Sequence, residues 1–202
     1  PAPVSTAIND TIDTTTATLT ATPSVAEGGS ITYTVSLSSP VTGAPVAVTL
    51  SNGAVLSIPV GASSATTTVT AADNPYTGGG SVSTTISTIA GGNFENLVAS
   101  STPALTTLTD DADATTVTLS ASAASVSEGG SVVYTATVSN PVTGAPLLIS
   151  LSNGQSITIP VGSSSASSPA FAVRADDAYV HGDQPLSVSI TATSGGNYES
   201  LT

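Results

Sequence analysis

Thirteen carboxylates are the side chains of this 202-residue chain whose number and grouping could do chemistry. They are Glu27 and Glu128; Asp73, Asp176, Asp177 and Asp183; Glu95 and Glu199; and Asp10, Asp13, Asp110, Asp111 and Asp113. Arg174 and His181 are the sole basic candidates, and the formal net charge is −12. Two carboxylates 4 Å apart repel by roughly 1 kcal/mol in water and about 4 kcal/mol at the effective dielectric near a protein surface. A hard divalent cation relieves that repulsion, and a loop-built cage of carboxylates and carbonyls is large and adaptable enough to favour Ca2+ over Mg2+. The competing reading is that these are ordinary turn acids, since Asp favours turns and aids solubility. A catalytic use is the weakest reading. His181, Asp183 and the many serines would have to meet in mutual hydrogen-bond reach, and no such spacing exists, so His181 is expected to be a solvent-exposed loop residue.

Composition narrows the partners. Only 7% of residues are charged, against about 25% in an ordinary globular protein. Without clustered Lys or Arg, nucleic acid and anionic membrane are excluded as partners, and no apolar run approaches the ~20 residues of a membrane span. The absence of Cys rules out disulfides and thiolate metal sites, and the absence of Lys rules out Lys–Asn isopeptide staples. With no Trp and five Tyr, little remains for a small-molecule site or an adhesive platform. The chain begins Pro1-Ala2-Pro3 rather than with an initiator Met, and is expected to be a processed product or a piece of something longer.

The elements that must position the acids come as a repeat. VAEGGSITYTVSLSSPVTGAP (25 to 45) matches VSEGGSVVYTATVSNPVTGAP (126 to 146) at an offset of 101, and LSNG and IPVG recur at the same offset. GGNFENL (91 to 97) recurs as GGNYESL (195 to 201) at an offset of 104, placing a small insertion near 167 to 183, most simply in a loop. Such self-similarity denotes an array of like modules. We divide the chain into residues 10–110 and 111–202, the second lacking its last strand, with residues 1–9 as a seventh strand of a preceding repeat or a neighbouring chain. Within the first module, period-two alternation such as Ile31, Tyr33, Val35 and Leu37 predicts strands near 15–22, 30–38, 45–51, 54–60, 64–72, 81–90 and 101–109. Seven short strands separated by Gly, Pro and Asn turns make an all-β fold, a tandem of immunoglobulin-like Greek-key sandwiches. Tyr33 and Tyr134 face inward, whereas Arg174 faces outward to a surface ion pair worth ~0 to 1 kcal/mol.

Strand parity then sorts the acids. If consecutive strands run antiparallel, Glu27 in the first turn, Asp73 in the fifth turn and Asp110, Asp111 and Asp113 at the exit share one pole of the first module. Glu128, Asp176, Asp177 and Asp183 hold the matching positions in the second. Glu95 and Glu199, in the sixth turn, belong to the opposite pole, where Glu95 would either help Asp10 and Asp13 ligate an ion or simply be solvated.

VxEGGSxxYT, the IPxG turn, ADDAYVHGDQPLSVSI (175 to 190) and TDDAD (109 to 113) resemble Calx-beta modules, whose Ca2+ ligands come from those same segments. Closer still, DTIDTTTATLTATPSVAEGGSITYT (10 to 34), LSNG and GGNFENLV resemble the extender repeats of large RTX biofilm adhesins of Gram-negative bacteria, of the Lap type. That resemblance implies an extracellular, cell-surface protein exported by type I secretion. It also implies Ca2+ at inter-domain linkers, neighbouring repeats as partners, and a structural role in biofilm formation and cell adhesion. The sequence departs from the Calx-beta acidic loop at Gly78-Gly79-Gly80 and at His181 and Gln184, which argues against a full multi-ion sensor. A Ca2+-stiffened spacer is the expected function. A Calx-beta-like regulatory module and a filament subunit built by strand addition from a like chain are the alternatives.

Overall fold

The computed structural model describes residues 3–202, so Pro1 and Ala2 of the expected leading strand lie outside the described residues. The described residues form strands and turns with no helix, as immunoglobulin-like sandwiches. They fall into two compact units, one of residues 1–73 and 79–109 and the other of residues 74–78 and 110–202.

Unit 1 contains β1 (Thr14–Ala21), β2 (Ser24–Ala26), β3 (Ser30–Leu37), β4 (Val46–Leu50), β5 (Val55–Ile58), β6 (Ser64–Thr70), β7 (Ser81–Thr84), β8 (Ile86–Gly91), β9 (Asn96–Ala99) and β10 (Ala104–Thr109). Strand order is β6-β3-β1-β9 in one sheet, β5-β4-β8 in a second and β2-β10-β7 in a third. The alternation read from sequence is the burial pattern: Ile31, Tyr33, Val35 and Leu37 of β3 and Val46, Val48 and Leu50 of β4 lie inside with Leu56 and Ile58. Successive side chains on a strand point to opposite faces, so the intervening Thr and Ser line the outside. There Thr18 and Thr20 donate their hydroxyls to the carbonyls of Ser36 and Thr34. Buried Tyr33 shares a 2.9 Å hydrogen bond with Thr84 Oγ1, which satisfies the phenol inside an otherwise apolar core.

The expected single strand over 81–90 is instead two. It breaks at Thr85, which exchanges backbone and hydroxyl hydrogen bonds with Ser51, so that β7 joins β10 while β8 crosses to β4. A strand that switches sheets in this way makes a corner of the sandwich. The short β2 and β9, which run parallel to β10 and β1 respectively, lack the length for a readable period. Residues 3–13 carry no strand, and Val4 and Ile8 are almost wholly exposed.

Unit 2 contains β11 (Ala114–Thr115), β12 (Val117–Ala121), β13 (Ser131–Val132), β14 (Tyr134–Val138), β15 (Leu147–Leu151), β16 (Ser156–Ile159), β17 (Ser165–Ser167), β18 (Phe171–Ala172), β19 (Ile190–Ser194) and β20 (Ser200–Leu201). Its core is built from matching positions, including Tyr134, Ile149, Ile157 and Ile159. The insertion begins inside the sheet rather than in a loop. Where β6 pairs with β3 over seven residues, its counterpart is split into β17 and β18 around Pro169, which has no N–H to give a ladder. Ser168 fills the break, its hydroxyl accepting from Tyr134 N at 3.1 Å and donating to Pro169 O at 2.8 Å.

Beside this break lies a hollow of about 1040 Å³, lined by Ser125, Val126, Tyr134, Phe171, Pro185 and Leu186 among others. In unit 1 the matching place, between β2 and the Val82 strand, is filled by β10. The consequence shows in exposure: Val25 and Val82 pack on the core of unit 1, while Val126 and Leu186 are 39% and 49% exposed.

Candidate functional site

Each unit holds acids at two places, and backbone hydrogen bonds fix both. In unit 1, Glu27 N donates to Thr109 O at 2.9 Å and Gly28 N to Ala72 O at 3.2 Å. The first turn, the fifth turn and the end of the last strand therefore meet, as parity requires. Gly28 adopts φ 65° and sits against the Asp73 side chain, where a Cβ would be 3.4 Å from the carboxyl. Glu27 is buried there at 5% exposure.

In unit 2, Gly129 N donates to Arg174 O and Gly129 lies against Asp176. Here the only arginine forms an ion pair with Glu128, each side chain about one-third exposed (32% and 34%). The surface ion pair expected for Arg174 is thus formed, and it supplies at Glu128 a cation that unit 1 lacks. Asp177 is likewise engaged. It accepts from Tyr179 N at 2.8 Å and lies 3.0 Å from His181 Nε2. Asp183 and Asp10 are exposed.

The second place is the leading end of each unit. Glu199 Oε2 accepts from Asp113 N at 2.7 Å, and Glu95 Oε2 accepts from Asp13 N in the same arrangement. The exposed Glu95 side chain thus meets the Asp10–Asp13 segment through the Asp13 amide. Asp110 Oδ2 accepts from Gly78 N at 2.8 Å. Among the described residues, the other oxygen of Glu199 is buried without a hydrogen-bond partner. A carboxylate oxygen left so is costly unless something else satisfies it. Glu199 and the Asp113 that it meets offer only hard carboxylate oxygens, and unit 2 has no lysine or arginine except Arg174, so the pair fits Ca2+ in chemistry.

The LapA domain model matches residues 13–111 and 113–202. The chain belongs to the LapA domain family. No curated protein matches it. It is thus a stretch of Lap-type adhesin repeats, and the family implies a cell-surface adhesin in which the role is structural.

Within these LapA repeats, one feature escaped the sequence. Unit 2 includes Asn74–Gly78, which in the chain lies between β6 and β7. Tyr76 forms an antiparallel bridge with Tyr198, their rings stacked with centroids 5.7 Å apart. Thr77 N donates to Asn197 O at 3.0 Å and Glu199 N to Pro75 O at 3.2 Å. Asn197 Nδ2 donates to Thr77 O at 2.9 Å. The two phenols donate at 2.8 Å to neighbouring carbonyls, Tyr76 to Pro141 and Tyr198 to Asn140. Burial pushes the Tyr198 phenol above its usual 10.0, and the adjacent Tyr76 adds to the rise. The available signal was the Asx residue two before each Tyr, Asn74 and Asp177, and the recurring Gly-Gly-Asn-aromatic phrase.

Proposed function

We propose that this pair of LapA repeats is a Ca2+-dependent spacer of an extracellular adhesin. The observation that carries the reading is the repeated pairing of a linker aspartate with a sixth-turn glutamate, Asp113 with Glu199 and Asp13 with Glu95. An ion held by Asp111, Asp113 and Glu199 would fasten the leading segment 110–113 to the body of its own unit and shorten the free linker. Asp10, Asp13 and Glu95 would do the same in unit 1. Glu27 and Asp73 are the further candidates in unit 1, while an ion at Glu128 and Asp176 would compete with the Arg174 guanidinium that pairs with Glu128. Extracellular modules bind Ca2+ at ~0.1 to 1 mM, so the sites would be empty in a cytosol and filled outside.

The test is a calorimetric Ca2+ titration with scattering in Ca2+ and in EGTA. Binding near ~0.1 to 1 mM, weakened by Glu199→Gln and accompanied by a narrower distribution of maximum dimensions, is the expected result. No heat, and a melting temperature and scattering profile indifferent to EGTA, would overturn the reading. The hollow of unit 2 supports strand addition as a second reading, with β10-like sequence, or residues 1–9 of a like chain, completing the sheet at an open edge.

A further inference from the structure

Unit 1 has the same docking surface that Asn74–Gly78 fills in unit 2, and there it is a hollow of about 260 Å³ lined by Ser39, Pro40, Thr42, Asn93, Phe94 and Glu95 among others. These are the counterparts of Asn140, Pro141, Thr143, Asn197, Tyr198 and Glu199. The frameworks agree in detail. Gly92 N donates to Ala44 O at 3.1 Å as Gly196 N does to Ala145 O at 3.0 Å. Asn93 lies over Gly43 as Asn197 lies over Gly144, in both cases 3.0 Å from where a Cβ would be. The Phe94 ring packs on Gly92 as the Tyr198 ring packs on Gly196. The backbone groups that receive the plug in unit 2, Asn197 O and Glu199 N, therefore have counterparts in Asn93 O and Glu95 N.

The second repeat also carries the plug. Tyr179 N donates to Asp177 Oδ1 at 2.8 Å, the same Asx turn by which Tyr76 N donates to Asn74 Oδ1 at 3.1 Å. Such a turn sets the loop before any partner arrives, so little ordering entropy is left to lose on docking. Yet Tyr179 is 76% exposed and Val180 101% exposed. A large aromatic presented to solvent by its own turn is the form of an anchor.

We propose that the hollow of unit 1 is a socket for the Asp177–Val180 loop of a second copy of this chain, with Tyr179 stacked on Phe94 as Tyr76 stacks on Tyr198. Asp177, Ala178, Val180 and His181 stand where the docked loop has Asn74, Pro75, Thr77 and Gly78, and Phe94 stands for Tyr198. Val180 stands where Thr77 gives its hydroxyl to Asn197 Oδ1, so one side-chain bond is lost while the backbone bonds remain. Phe94 lacks the phenol of Tyr198, but that phenol bonds Asn140 O in the socket wall, not the plug.

The chain has no cysteine, so engineered thiols report docking directly. Thr77→Cys with Asn197→Cys in one chain is the positive control, and should close within unit 2. For the socket, one chain carries Val180→Cys activated as a mixed disulfide with thionitrobenzoate, and a second carries Asn93→Cys. If the loop docks, thionitrobenzoate is released at least about tenfold faster than with the exposed Val60→Cys as partner, since docking replaces bulk by effective concentration. Adding Tyr179→Ala to the activated chain should return the rate to that of the Val60→Cys control. Equal rates for Asn93→Cys and Val60→Cys, or an acceleration that survives Tyr179→Ala, would overturn the proposal. Should Asn93→Cys fail to fold, Thr42→Cys at the rim carries the same expectation. The acceleration is expected in EGTA as well as in Ca2+, so it stands or falls separately from the ion.

Discussion

Replacing Tyr76 by alanine should release Asn74–Gly78 from unit 2 while leaving the sandwich folded. The loss is a stacked aromatic pair at 5.7 Å, worth ~0.5 to 1.5 kcal/mol. To it is added one phenol hydrogen bond to Pro141 O, exposed and therefore near the lower end of ~0.5 to 1.5 kcal/mol. Together these give about 1 to 2 kcal/mol, or about a 5- to 30-fold change in the local opening equilibrium. Hydrogen exchange reads this residue by residue, because the Thr77 and Glu199 amides donate only across this bridge, to Asn197 O and Pro75 O. Both should exchange faster by that factor. The Gly196 amide, which donates to Ala145 O, should keep its protection. Tyr76→Phe retains the ring and should raise exchange only a fewfold. If Tyr76→Ala left the Thr77 and Glu199 amides as protected as before, the bridge would not depend on the aromatic pair, and the reasoning about plug and socket would lose its ground.

Four other outcomes follow from the same structure. The folded-state Tyr198 phenol titrates above its unfolded value, so its contribution is intact below that value and is lost as pH rises through the folded one. The melting temperature of unit 2 should thus fall in strong alkali, and Tyr198→Phe should remove that dependence. Arg174→Ala should cost no more than ~1 kcal/mol, since the pair with Glu128 is one-third exposed, yet should raise Ca2+ binding at Glu128 and Asp176 in a calorimetric titration. Gly91→Ala should destabilise unit 1 by about 1 to 3 kcal/mol in denaturant unfolding, because φ there is 107° and a Cβ would meet Pro45 O. A peptide of sequence TPALTTLT, residues 102 to 109, should raise the melting temperature of unit 2 by filling the hollow beside Val126 and Leu186; no shift at millimolar peptide would count against strand addition.

What the sequence makes legible is what period and position determine. Alternation placed Tyr33 and Tyr134 inside, and strand parity brought the turns of Glu27 and Asp73 to the end of β10. Neither inference needs long-range geometry beyond antiparallel order. The misses have the opposite character. The break at Thr85 depends on Ser51 across the corner. Unit 2 takes in Asn74–Gly78, a choice no local pattern encodes, because in isolation NPYTG reads only as a turn. Two copies of the motif in one chain, one docked at Tyr198 and one exposed at Tyr179, turn that limitation into an experiment. The filled site defines the bonds, and the matching hollow of unit 1 keeps Pro40, Thr42, Asn93 and Glu95 while exchanging Asn140 for Ser39 and Tyr198 for Phe94, so docking there should turn on the aromatic stack and the backbone bonds rather than on the phenol.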